Sequence, residues 1–153
     1  LRGQPGRIIN ISSVSGTSAF PFVGAYAASK HGLEGFSETL RRELILYGID
    51  VIIIGPGPIA TPIWDKAEQA DTSLYANTDY VDAAQRAKEF MVRSGKNGLP
   101  PEKVGEVVWH ALTTRSPNTR YALVGRGALQ RFVQQLLPKR LVDRIVAKAL
   151  GLK

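Results

Sequence analysis

Cysteine is absent from the 153 residues. Disulfides, a zinc–thiolate centre and a thiol nucleophile are therefore excluded. A chain of this size needs no such staples once its core is complete, and a reducing, cytoplasmic setting is expected. No apolar run approaches the roughly 20 residues that cross a bilayer as a helix. Histidine occurs twice, at His31 and His110, with no carboxylate cluster at ligand spacing, so no metal site is expected. Acidic residues are scarce at the far end. From Arg126 onward the cations Arg126, Arg131, Lys139, Arg140, Arg144, Lys148 and Lys153 are opposed by Asp143 alone, and most of the net charge of +7 lies there. Nucleic-acid binding would interleave that charge with aromatics; this stretch has only Phe132, and no nucleic-acid partner is expected. What remains, 44% hydrophobic and 22% charged residues, is an ordinary globular mixture.

The pattern along the chain alternates. Arg7–Ile11 is a short apolar run that reads as a buried strand, and residues 12–22, rich in Ser, Gly and Thr, as a loop. From Ala25 to Tyr47 apolar residues recur at three and four (Leu33, Phe36, Leu40, Leu44, Tyr47), the stripe of a helix that Gly48 ends. Val51–Ile54 is a continuous β-branched run and the expected central strand, stopped by Gly55-Pro56-Gly57-Pro58. Residues 62–78 are irregular, with short helical stretches. Asp79 is the expected cap of a helix reaching about Arg93. Pro101 opens another helix, with Val104, Val107, Val108, Ala111 and Leu112 on one face. Arg120–Val124 is the last strand. Helices are expected over 128–137 and beyond Pro138, the second with an apolar side of Leu141, Val142, Ile145, Val146 and Ala149. Apolar strands alternating with amphipathic helices imply an α/β fold with a mostly parallel sheet and right-handed crossovers.

One spacing carries chemistry. Tyr26 and Lys30 lie four apart near the start of a helix, so their side chains share a face. A phenol is a poor base at neutral pH, and an adjacent ammonium and the positive helix end both favour its anionic form. Such a pair is a workable general acid/base. Ser12 and Ser13 directly follow a buried strand, at the end where α/β sheets bind ligands. A hydroxyl at Ser13 can hold a substrate oxygen, whereas Ser12 reads as a strand-end cap. By spacing alone, a plain pair on the helix surface is the favoured reading of Tyr26 and Lys30.

Three segments in order change that balance: Gly6-Arg7-Ile8-Ile9-Asn10-Ile11-Ser12-Ser13, Tyr26-Ala27-Ala28-Ser29-Lys30 and Pro56-Gly57-Pro58-Ile59-Ala60-Thr61. With them the sequence resembles the catalytic half of the short-chain dehydrogenase/reductase family. The resemblance implies the C-terminal part of a Rossmann-like, doubly wound parallel sheet of about three strands with flanking helices. It implies Tyr26 as acid/base, Lys30 as the residue that assists it and binds the nicotinamide ribose, and Ser13 as the group that steadies the substrate oxygen. Pro56 and Gly57 would form the turn beneath the nicotinamide, with Ile59 and Thr61 holding its carboxamide. The implied reaction is NAD- or NADP-dependent hydride transfer between an alcohol and a ketone or aldehyde. Residues 62–98 would be the substrate lid, residues 1–125 a partial catalytic region and 126–153 a basic amphipathic tail. The helix Tyr26–Tyr47 would join subunits of a homo-oligomer.

The family's glycine-rich TGxxxGxG turn, which cradles the pyrophosphate, has no counterpart in these residues. The chain, which opens on Leu1, is accordingly expected to be the C-terminal part of a larger enzyme and inactive when isolated. Two other readings stand beside the enzyme. One is a non-catalytic fragment or interaction module that cannot hold cofactor. The other is a membrane-surface protein, since the tail sets apolar residues against Lys139, Arg140, Arg144 and Lys148 as an anionic bilayer would require. Peripheral membrane contact by the tail would suit a lipophilic substrate.

Overall fold

Three strands, β1 (Gly6–Ile11), β2 (Ile49–Pro56) and β3 (Arg120–Leu123), lie parallel in the order β1-β2-β3. The computed structural model describes residues 6–124 and 137–152. These form two compact units, residues 6–57 with 99–124 and residues 58–98 with 137–152.

The sheet belongs to the first unit. Its register pairs Ile8 with Val51, Ile9 with Ile52, and Ile54 with Tyr121. β2 is central because its run Val51–Ile54 is apolar on both faces and buried on both. Parallel neighbours require crossovers. The first is α1 (Gly24–Glu43); the second, longer connection includes α4 (Pro101–Thr113), after α2 (Ile63–Glu68) and α3 (Val81–Lys96) of the second unit. On one face Ile52, Ile54, Leu123 and Ala111 form a core joined by Ile9, Val104, Val107, Val108 and Tyr121. The valines expected on one side of α4 are those that pack there. On the other face the Asn10 amide donates to Ser37 Oγ at 2.8 Å, and Ser37 donates to the Leu33 carbonyl at 2.6 Å.

α1 continues into a 3-10 turn, Leu44–Tyr47, and ends at Gly48, whose φ of 65° lies in the left-handed region that glycine enters freely. Its inner face differs from the expected stripe. Phe36 is 60% exposed and Tyr47 also faces outward, whereas Ala27 and Ser37 are buried. The side facing the sheet is set by the Asn10–Ser37 bond and by an ion pair at Glu34, so polar residues occupy ground that an apolar count assigns to Phe36.

In the second unit, Trp64 Nε1 donates to the Ile59 carbonyl at 2.6 Å, and the indole lies so close to Gly95 that a Cβ there would collide with it. Asp71 lies just ahead of the 3-10 turn Ser73–Tyr75 and accepts from the Ser73 hydroxyl and amide, each at 2.7 Å. Those bonds hold its carboxyl below the usual carboxylate range, the hydroxyl bond contributing most. Asp79 does not cap α3. The helix starts at Val81, and Thr78 Oγ1 accepts the Tyr80 amide instead, at 3.2 Å. α5 (Lys139–Leu150) meets α3 where Arg86 Nη1 donates to the Leu150 carbonyl at 3.1 Å. The helix expected over 128–137 falls almost wholly outside the described residues. No described helix is long and apolar enough to cross a membrane.

Candidate active site

β1 runs directly into the two serines. The Ser12 amide donates to the Ile54 carbonyl at 2.7 Å, extending the ladder by one bond. Ser13 then leaves the sheet in extended backbone and caps a 3-10 turn, Val14–Gly16, its Oγ accepting from the Ser15 amide at 3.1 Å. The cap expected of Ser12 thus falls to Ser13. Ser13 makes the capping bond, while Ser12 Oγ, in a residue only 4% exposed, has no hydrogen-bond partner among the described residues.

The loop enters α1 through Phe22, which adopts φ 67°. A bulky L-residue in this region costs about 1–2 kcal/mol, so its backbone is held there by its surroundings. Two residues later α1 begins, without a side-chain cap. Tyr26 lies in its first turn and is 46% exposed. Lys30 follows one turn on, its Nζ 5.8 Å from the Tyr26 ring centroid, within the range at which a cation is attracted to an aromatic face. The same ammonium donates to the Ile11 carbonyl at 3.1 Å. Lys30 thus ties the turn that carries Tyr26 to the strand end that leads into Ser13.

Pro56 ends β2, and the Gly57 amide donates to the Leu123 carbonyl at 2.7 Å. Ser13, Tyr26, Lys30, Pro56 and Gly57 therefore belong to one unit. Ile59 and Thr61 belong to the other, where their carbonyls accept from the indole and the amide of Trp64 respectively. Trp64 packs against Gly95 inside its own unit. His31 places Nδ1 2.9 Å from the Ala27 carbonyl, and His110 meets Tyr121 edge-on. Among the described residues no group of His, Asp or Glu can hold a metal ion.

Two residues near Ser13 escaped the sequence reading. Arg120 on β3 donates through Nε to Glu34 Oε2 at 3.0 Å and through Nη2 to Glu34 Oε1 at 3.1 Å; Nη2 also donates to the Ser13 carbonyl at 3.3 Å. Glu34 left one signal, its position four residues after Lys30 on the same helical face. Arg120 left none, because only the fold brings it to residue 13.

Comparison with known proteins adds an independent line. The family model described as short chain dehydrogenase matches residues 1–72. An NADPH-dependent 3-dehydrocapnine reductase from Ornithobacterium rhinotracheale is 37% identical over 95% of this chain and 51% of its own length. A short-chain dehydrogenase of known structure from Streptomyces avermitilis superimposes with a TM-score of 0.59 at 27% identity, over 91% of this chain and 52% of that one. The structure of a short-chain dehydrogenase/reductase from Burkholderia phymatum in complex with NAD shares the fold with a TM-score of 0.62 at 23% identity, over 86% and 46% of the two chains. This chain spans about half the length of the curated relatives it matches. The match covers β1, α1 and β2 and with them the positions of Ser13, Tyr26 and Lys30, and the likeness to relatives runs along nearly the whole chain: it belongs to the short-chain dehydrogenase/reductase family.

Proposed function

We propose that this chain supplies the proton-handling part of an NAD- or NADP-dependent oxidoreductase that interconverts an alcohol and a ketone or aldehyde. The observation that carries the reading is Lys30, with its charge beside the Tyr26 ring and its ammonium tied to the end of the strand that leads into Ser13. Among the described residues that ammonium makes one hydrogen bond, so two N–H donors remain for the hydroxyls of a nicotinamide ribose. The donor set fits that half of a dinucleotide. The sequence offers no glycine-rich turn for the pyrophosphate. The named activity of the Ornithobacterium relative depends on NADPH, and one structural neighbour binds NAD.

When bound, the dinucleotide supplies or accepts the hydride. The work of this chain is to manage the oxygen. In the reducing direction Tyr26 Oη gives its proton to the carbonyl oxygen as the carbon gains the hydride; in the oxidising direction it takes that proton back. Lys30 stabilises the phenolate left behind. Ser13 Oγ, already an acceptor for the Ser15 amide, has its own proton free to donate to the reacting oxygen, where charge develops. Residues 62–98 serve as the substrate lid.

Tyr26→Phe in the intact protein tests the reading. Loss of the acid/base should lower turnover by roughly 10²- to 10⁴-fold, with NADH or NADPH binding, followed by nicotinamide fluorescence, preserved. Turnover within twofold of the parent would end the assignment of Tyr26.

Two surfaces extend the proposal. On α1 and the turn after it, Phe36, Ile45, Leu46 and Tyr47 are exposed, which suits a contact between copies of the chain. On α5, Leu141 and Ile145 are exposed one turn apart among Lys139, Arg140, Arg144 and Lys148, which suits an anionic bilayer. Co-sedimentation with anionic vesicles, with and without residues 138–153, tests the second; equal recovery would end it.

A further inference from the structure

The geometry points to Arg120 and Glu34 as positioning residues that hold Ser13 in register with Tyr26 and Lys30; this rests on the catalytic reading above. Tyr26, Lys30 and Glu34 recur every four residues and so share one face of α1. The first two face the chemistry, and the third anchors a guanidinium. Arg120 starts on β3, at the far side of the sheet from β1, with β2 between them. It reaches past Gly55 of β2, where any Cβ would collide with its Nη2. At the other side a Cβ on Gly16 would lie 2.7 Å from Glu34 Cγ and 2.8 Å from its Oε1. Two glycines therefore leave the lane in which the pair lies. Glu34 is 13% and Arg120 26% exposed, so the pair is largely withdrawn from water.

The consequence falls on Ser13. Its carbonyl accepts from Arg120 Nη2, its Oγ accepts from the Ser15 amide, and the preceding amide, that of Ser12, is bonded into β2. The backbone and the hydroxyl of one residue are fixed from separate directions. Because Arg120 is also bidentate to the helix that carries Tyr26, the clamp sets the spacing between the two groups meant to meet one substrate oxygen. An ion pair serving only to stabilise would not need its third bond to the Ser13 carbonyl. Planar geometry lets one guanidinium span a carboxylate and a carbonyl together, which a lysine ammonium does poorly.

Three variants of the intact protein test this. In Arg120→Lys the charge remains and the fork is lost. Amide hydrogen exchange at Gly16, Thr17 and Ser18 should rise about tenfold. The value of kcat should fall roughly 10- to 100-fold, in keeping with the cost of a small misplacement, while the KM for the dinucleotide stays within threefold. Glu34→Gln should do the same more weakly. The exchanged pair Glu34→Arg with Arg120→Glu should recover much of the thermal stability but not kcat, since a carboxylate at position 120 cannot donate to the Ser13 carbonyl. Unchanged exchange at Gly16–Ser18 in Arg120→Lys would overturn the clamp whether or not the protein turns over, and so would an exchanged pair that recovered kcat along with stability. If Arg120→Lys does not fold, Gly55→Ala, which crowds the guanidinium and keeps both charges, must show the same loosening, and its absence would overturn the clamp equally. Failure of the catalytic reading shows separately, as a Tyr26→Phe protein that still turns over.

Discussion

Ser12 and Ser13 are chemically identical neighbours with opposite expected responses to loss of the hydroxyl. Among the described residues Ser12 Oγ is buried without a hydrogen-bond partner, so its desolvation cost is unrelieved there. Ser12→Ala should leave thermal stability unchanged or raise it by about 1 kcal/mol, with turnover intact. Ser13 caps the 3-10 turn, and Ser13→Ala should cost about 1 kcal/mol. On the proposed mechanism it should also lower kcat by roughly 10²-fold, as removal of one donor to a developing oxyanion does. Thermal melts and steady-state kinetics on the two variants separate these outcomes. Asp71 offers a pH test. Its carboxyl titrates below the ordinary value near 3.8 because the Ser73 hydroxyl and amide bind the charged form. A lowered folded value means that its contribution is complete above the unfolded value and disappears as pH falls through the folded one. The Ser73 amide resonance should therefore be constant at neutral pH and move only below the ordinary range; movement centred above pH 3.8 would contradict those bonds.

At the scale of elements, the three strands, α1 and α4 were legible because their patterns are strong: continuous β-branched runs, a 3.6-residue period, Pro at a helix start and Gly at a helix end. What the pattern missed was polar. The inner face of α1 is chosen by Ser37 meeting Asn10 and Glu34 meeting Arg120, and a hydrophobic count is blind to both. The Tyr26–Lys30 pair was readable since its geometry is local to one turn of helix. Arg120 was not, because its link to Ser13 spans 107 residues and depends on sheet order. Asp79 failed as a cap because Thr78 had already supplied the oxygen. The packing of Trp64 on Gly95 yields a further expectation. Gly95→Ala forces a methyl into the indole. Such overpacking should cost about 1–3 kcal/mol and loosen α3 against α2, seen as a lower melting temperature with a changed Trp fluorescence maximum. An unshifted melt would mean that the indole can move aside freely.

For the molecule as a whole, β1 has one neighbour among the described residues, β2, and its other edge is unpaired there. Unpaired strand edges and exposed apolar helix faces favour association. The isolated 153-residue chain should therefore show concentration-dependent self-association by analytical ultracentrifugation. It should also fail to bind NADH or NADPH at micromolar concentrations, since the sequence offers no glycine-rich turn for the pyrophosphate. Tight binding by the isolated chain would show that the pyrophosphate finds another cradle. Replacing Phe36 and Leu46 by Glu should reduce association if α1 is the contact and leave it unchanged if the strand edge is.

The late arrival of β3 has a consequence for biosynthesis. At 5–20 residues per second, the 107 residues that separate Ser13 from Arg120 take roughly 5 to 20 s to emerge from the ribosome. For most of that interval the nascent polypeptide displays Ser13, Tyr26 and Lys30 without the guanidinium that bonds the Ser13 carbonyl. A message cut short before the codon for Arg120 would still encode Ser13, Tyr26 and Lys30 but not the guanidinium that bonds the Ser13 carbonyl, so a genome survey that scores those three positions alone would miss the loss.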